Sequence, residues 1–116
     1  MVLVCDDEDS LRELIRAVLG DRFEFVEAKD GDEALEVLAR RVPAVVVLDL
    51  MLPRTSGVDV LAAVRADPRL EGLPVVVVSA WSHLEREALD AGADRFVAKP
   101  FDPDELVAAV DDLVGR

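Results

Sequence analysis

Residues 44–53 read AVVVLDLMLP, and the aspartate inside this stretch decides how the chain is read. Val45 to Leu48 form an apolar run without a polar position, as in a strand buried on both faces. A carboxylate directly after such a run is costly unless the chain has reached the sheet edge and something compensates the charge. Asp49 is therefore placed at the carboxyl end of a central parallel strand. The compensating group has to come from elsewhere in the chain.

Working outward, four more β-branched or aromatic runs appear: MVLVC at 1–5, FEFVEA at 23–28, PVVVVS at 74–79 and RFVAK at 95–99. Stretches of helical periodicity separate them. Leu11, Leu14, Ile15, Val18 and Leu19 form one apolar stripe, and Leu106, Val107, Val110, Leu113 and Val114 another. Shorter stripes run through Ala34, Leu35, Val37 and Leu38, through Val60, Leu61 and Val64, and through Leu84, Ala88 and Leu89. Asp30-x-x-Glu33, Ser82-x-x-Glu85 and Ser10-x-x-Glu13 have the form of capping boxes. Asp102, Pro103 and Glu105 combine an N-cap, a proline at the first helical position and a reaching carboxylate. Gly20, Gly92 and Gly115 stand near helix ends, where left-handed caps occur. Strands alternating with helices predict an α/β fold: a parallel sheet with helices on both faces, and strands 2–5, 45–48 and 75–78 at its centre.

The chain has 116 residues, enough for one domain with one core, and neither a linker nor a low-complexity segment divides it. The net charge of −12 repels phosphate backbones, which argues against direct nucleic-acid binding. There is no basic segment leading into an apolar signal region, and no run reaches the ~20 apolar residues of a membrane span. The single cysteine, Cys5, cannot form an internal disulfide and closes an apolar run as a small core residue, which fits a cytoplasmic protein.

Open α/β sheets bind their ligands beyond the carboxyl ends of the strands. There the sequence places Asp6-Asp7 after the first strand, Asp49 after the third, Ser79-Ala80 after the fourth and Lys99-Pro100 after the fifth. Each alone has a plainer reading as a cap or loop residue. Jointly, four strand ends carry them at once, and one of only two lysines, Lys99, falls beside three acids. Carboxylates this close repel by ~1–4 kcal/mol per pair at about 4 Å, depending on the dielectric. An all-oxygen cluster of this kind suits Mg2+. Metal and ammonium would clamp the oxygens of a phosphoryl group, Ser79 could donate to it, and Asp49 is placed to attack as a carboxylate nucleophile.

With these residues in hand, the chain resembles the response-regulator receiver domains of two-component systems, of the single-domain chemotaxis type. The resemblance rests on VLVCDDE at 2–8, VVVLDLMLPRTSG at 45–57, VVVVSA at 75–80 and GADRFVAKPF at 92–101. It implies one receiver domain over residues 1–116, with a flavodoxin-like (βα)5 doubly wound three-layer fold and strand order 2-1-3-4-5. It implies Asp49 as phosphoacceptor, Asp6, Asp7, Asp49 and the backbone carbonyl of Met51 as Mg2+ ligands, and Lys99 as partner of the phosphoryl oxygens. Ser79 and Phe96 would be the switch residues, and the Lys99-Pro100 bond would be cis. Met51, Ala80, Trp81 and Pro100 would border the pocket, with Trp81 and Met51 limiting water access and slowing loss of the phosphoryl group.

The implied partners are a sensor histidine kinase or histidine phosphotransfer protein on the input side. On the output side stands an output domain or downstream protein that reads the face formed by residues 82–114. The protein would be a monomer or a phosphorylation-dependent dimer, with no membrane contact, and would catalyse only its own phosphorylation and dephosphorylation. Arg95 stands where receivers attached to winged-helix domains often carry an acid, and the last helix, DPDELVAAVDDLVGR, is acidic late, so that dimer interface is not expected. His83 reads as a loop residue. The residues suit a single-domain regulator or one part of a transcription factor, hybrid kinase or regulated enzyme. A haloacid-dehalogenase-like phosphatase would need an acid two residues after its nucleophile, where this chain has Met51. A nucleotide-binding domain would need a glycine-rich phosphate loop, which is missing. A pseudo-receiver would lack one of the site residues, and all are present.

Overall fold

A computed structural model of the chain describes residues 1–115. Its five strands are β1 (Val2–Cys5), β2 (Phe25–Ala28), β3 (Val45–Leu48), β4 (Val75–Ser79) and β5 (Arg95–Ala98). All pair in parallel, in the order β2-β1-β3-β4-β5. The helices are α1 (Asp9–Leu19), α2 (Gly31–Arg40), α3 (Gly57–Ala66), α4 (Glu85–Asp90) and α5 (Pro103–Val114). This is the parallel sheet expected from the alternation of runs, in the flavodoxin-like three-layer arrangement and strand order that the family resemblance implies.

The strand alternation builds two cores. Val2, Val4, Val45, Val47, Val76 and Val78 meet Ile15 and Leu19 of α1 and Leu106, Val110 and Leu113 of α5. Leu3, Cys5, Val46, Leu48, Val75 and Val77 meet Leu38 of α2, Val60, Leu61 and Val64 of α3, and Ala88 of α4. β1, β3 and β4 are buried at every position, which is why their sequences carry no polar alternation. Burying each such valine or leucine stabilises the fold by roughly 1.5–3 kcal/mol.

Helix starts follow the sequence in part. Asp30 accepts from Glu33 N at 2.8 Å, and the Glu33 carboxylate returns to Lys29 N at 3.0 Å, one residue before the cap. Asp102 accepts from Asp104 N with Pro103 at the start of α5. The other two boxes do not form. Ser10 lies inside α1, whose cap is Glu8 without a side-chain bond. Ser82 opens a short 3-10 turn, Ser82–Leu84, and α4 proper begins only at Glu85. Gly20 and Gly92 have φ of +82° and +112°, whereas Gly115 stays right-handed at −74°. Leu14 and Leu89, expected on core stripes, are exposed. Among the described residues no helix is long and apolar enough to cross a membrane.

Candidate functional site

Parallel pairing brings the strand ends together. Cys5 stands opposite Leu48, and Ser79 opposite Ala98. The ladder then runs one residue further: Asp6 N donates to Ala28 O at 3.1 Å, Asp49 N to Cys5 O at 3.0 Å, and Lys99 N to Ser79 O at 2.9 Å. Asp6, Asp49 and Lys99 thus leave the sheet at one level, from the adjacent strands β1 and β3 and from β5 beyond β4.

Their side chains meet. Lys99 Nζ donates to Asp6 Oδ2 and to Asp49 Oδ2, each at 2.9 Å. The second oxygen of each aspartate accepts from a backbone amide two residues on: Asp6 Oδ1 from Glu8 N, and Asp49 Oδ1 from Met51 N, both at 3.0 Å. Asp6 and Asp49 are buried, and the Lys99 side chain is 14% exposed. Burial alone would lower the Lys99 pKa. The two hydrogen-bonded carboxylates outweigh it and hold the ammonium above its ordinary value. Asp7 is exposed at the mouth of the site. Carboxylate oxygens of Asp6, Asp7 and Glu8 lie within 4.8 Å of one another.

The remaining candidates surround this centre. Ser79 is fully buried at the end of β4, and its Oγ accepts from Trp81 N at 3.0 Å, so the hydroxyl proton stays available to another acceptor. Phe96 is half-buried and packs on the core between the sheet and α2–α4. Met51 and Trp81 are both exposed. The Trp81 ring faces outward with His83, centroids 6.0 Å apart. The Lys99-Pro100 peptide is cis. Ala80, Lys99, Pro100 and Phe101 line a cavity of about 330 Å³ with Leu11 and Leu14 of α1. The exposure of Leu14 therefore gives the site an apolar flank.

Two features were missed in the sequence. Arg12 is buried on α1: its NH1 donates to the Asp6 carbonyl at 2.6 Å, its Nε to Glu27 at 2.9 Å, and it also pairs with Asp9. Burial opposes the charge, but Glu27 and Asp9 outweigh it and the guanidinium pKa is raised. The guanidinium thus anchors the backbone of the residue that holds Lys99. The signal was an arginine between Leu11 and Ile15, on the side of α1 that meets the sheet. Glu8 was read as part of a motif only, although it extends the acidic group at the mouth.

Comparison with known proteins assigns the chain to a family. The family model for the response regulator receiver domain matches residues 2–111. The chain is 38% identical over 119 residues to response regulator Rre1 of Synechocystis, covering 99% of this chain and 52% of that protein. It is 42% identical over 112 residues to the DNA-binding response regulator MtrA of Mycolicibacterium smegmatis, covering 94% and 48%. The chain thus spans about half the length of these relatives. Among solved structures, the receiver domain of the Francisella response regulator 1452 superposes with a TM-score of 0.90 at 31% identity, covering 99% of this chain and 96% of that one. The receiver domain of NtrX from Brucella abortus gives 0.90 at 32% identity, covering 99% and 98%. The chain belongs to the response-regulator receiver-domain family of two-component systems.

Proposed function

We propose that residues 1–116 act as one cytoplasmic receiver domain that accepts a phosphoryl group on Asp49. The observation that carries this reading is the double bond of Lys99 to Asp6 and Asp49 beneath an acidic mouth. One ammonium cannot balance Asp6, Asp7, Glu8 and Asp49, and the donors are all oxygens. That set suits Mg2+, which Asp6, Asp7, Asp49 and the Met51 carbonyl would hold. When bound, Mg2+ supplies positive charge against the equatorial phosphoryl oxygens.

In the transfer, an Asp49 carboxylate oxygen forms a bond to phosphorus while the donor's P–N bond breaks. The electron pair of that bond returns to the donor imidazole, so the reaction needs no further reagent. Lys99 follows the charge from carboxylate to phosphoryl oxygen. Ser79 turns its hydroxyl to the new acceptor and draws residues 79–83 inward, and Phe96 takes up the space released. The 82–114 face then presents a changed surface to an output domain or partner. The shift is bounded by how differently the phosphoryl group interacts with the two states. The donor, a histidine kinase or phosphotransfer protein, rests on the apolar flank made by Leu11, Leu14 and Phe101, the side from which Lys99 is reached. The domain would catalyse only its own phosphorylation and dephosphorylation.

Trp81, the single tryptophan, reports on the loop that moves. Titration with beryllofluoride, which mimics the aspartyl phosphate, tests the reading. A saturable, Mg2+-dependent fluorescence change that disappears in Asp49→Asn supports it. Wild type and variant responding alike contradicts it.

A further inference from the structure

Asp49 is oriented by two groups, Lys99 and the Met51 amide, and Met51 belongs to the loop between β3 and α3. How that loop is held therefore matters for the acceptor. Arg54 has φ of +63°, a left-handed conformation that costs a non-glycine residue roughly 1–2 kcal/mol. Such a residue persists where its surroundings over-determine it.

Here the surroundings are the start of α2. Gly31 N donates to Pro53 O at 3.2 Å, and Thr55 Oγ1 donates to Asp32 Oδ1 at 2.6 Å. The loop backbone comes so near that a Cβ on Gly31 would stand 1.7 Å from the Thr55 carbonyl oxygen. Arg54, itself exposed, adds two longer ion pairs at 3.8 Å, to the buried Asp30 and the exposed Asp32. At its other end the loop is fixed by Gly57, whose amide donates to Leu50 O at 3.0 Å.

We propose that the Thr55–Asp32 hydrogen bond is a positioning device for the acceptor: it clamps the loop onto α2 and thereby holds the Met51 amide against Asp49. Thr55 and Asp32 touch neither phosphoryl group nor metal. They act through Met51, and the functional consequence rests on the phosphoacceptor reading of Asp49. The charge pairs of Arg54 are long, and its guanidinium stands in solvent, so they contribute little. The Thr55 bond to a carboxylate is the contact that matters.

Amide hydrogen exchange on the metal-free protein tests the clamp without any phosphoryl chemistry. Thr55→Val should speed exchange at Met51 and Gly57 about fivefold, Thr55→Ser, which keeps the hydroxyl, should stay near wild type, and Asp32→Asn, which keeps an acceptor but not its charge, should fall between the two. With acetyl phosphate and saturating Mg2+, the Thr55→Val phosphorylation rate should fall by a similar factor. Unchanged exchange at Met51 in Thr55→Val overturns the clamp, as does equal acceleration at every slow amide, which would report global destabilisation. If wild type takes no phosphoryl group, the acceptor reading fails while the exchange result still decides the clamp.

Discussion

Lys99 Nζ lies 2.9 Å from Asp49 Oδ2, so the buried Asp49 carboxylate has a cation beside it within the fold itself. The same ammonium lies 2.9 Å from Asp6 Oδ2, and burial of both carboxylates around a largely covered Lys99 makes the cluster interdependent. Removing Lys99 would leave two carboxylates facing one another without a counterion. Lys99→Met should lower metal-free stability by roughly 3 kcal/mol, read by urea unfolding, and added Mg2+ should restore more stability to the variant than to wild type. Equal unfolding midpoints for the two proteins would contradict this.

Gly57 sets how closely α3 approaches the acceptor. A Cβ there would stand 2.1 Å from the Asp49 carbonyl oxygen, a backbone atom that cannot step aside. At Gly20 nothing lies within 4 Å, and only the φ of +82° resists a side chain. Gly57→Ala should therefore destabilise by more than about 2 kcal/mol, and Gly20→Ala by roughly 1 kcal/mol. Thermal unfolding of the two variants gives the ranking, and the reverse order would count against the close approach.

Alkaline pH should expose two of the three raised pKa values, those of Cys5 and Lys99. Cys5 is buried, and burial first and Asp6 second push its thiol far above the ordinary 9.0. Lys99 is held above 10.5. In both cases the folded value exceeds the unfolded one. The contribution to stability is then complete below the unfolded pKa and is lost as pH rises toward the folded value. Stability should fall from about pH 9 upward, and Cys5→Ala should flatten the first part of that decline. Native Cys5 should also resist thiol reagents at pH 8 until the protein unfolds.

The apolar flank separates protein donors from small ones. Leu14 is 46% exposed on the face of α1 beside Lys99. Leu14→Asp should slow transfer from a phosphorylated histidine protein at least tenfold, about 1.4 kcal/mol of lost contact, and leave acetyl phosphate labelling unchanged. Equal slowing with both donors would place Leu14 in the chemistry rather than in docking.

Trp81 bears on the lifetime of the product. Its amide holds Ser79 Oγ, while its ring stands at the surface beside His83. Trp81→Ala keeps the amide and removes the ring, so a shorter phosphoryl lifetime would assign water exclusion to the ring. An unchanged lifetime would limit Trp81 to covering the loop.

Much of this architecture can be read along the chain, because the β3 and β4 valine runs admit no other solution than doubly covered strands. Asp6, Asp49 and Ser79 are legible for the same reason, since each ends such a run; Lys99 ends the shorter, partly exposed β5, and parallel register brings all four to one edge. What escapes is decided by tertiary contact. Arg12 looks like a solvent-facing helix residue until Glu27 of the neighbouring strand and the Asp6 carbonyl take its donors. Leu14 looks like core, but it lies at the rim of the apolar stripe. Ser10 and Ser82 carry the letters of a capping box, yet α1 begins one residue before Ser10, and a 3-10 turn occupies the place of the second start. The clamp from Thr55 to Asp32 joins residues 23 apart, and neither periodicity nor spacing announces it.

The central claim is that Asp49 accepts a phosphoryl group. Intact mass after incubation with acetyl phosphate and Mg2+, for wild type and Asp49→Asn, tests it most directly. Wild type should carry a single phosphoryl adduct that requires Mg2+ and is absent from Asp49→Asn. An adduct of the same size and yield on Asp49→Asn would contradict it.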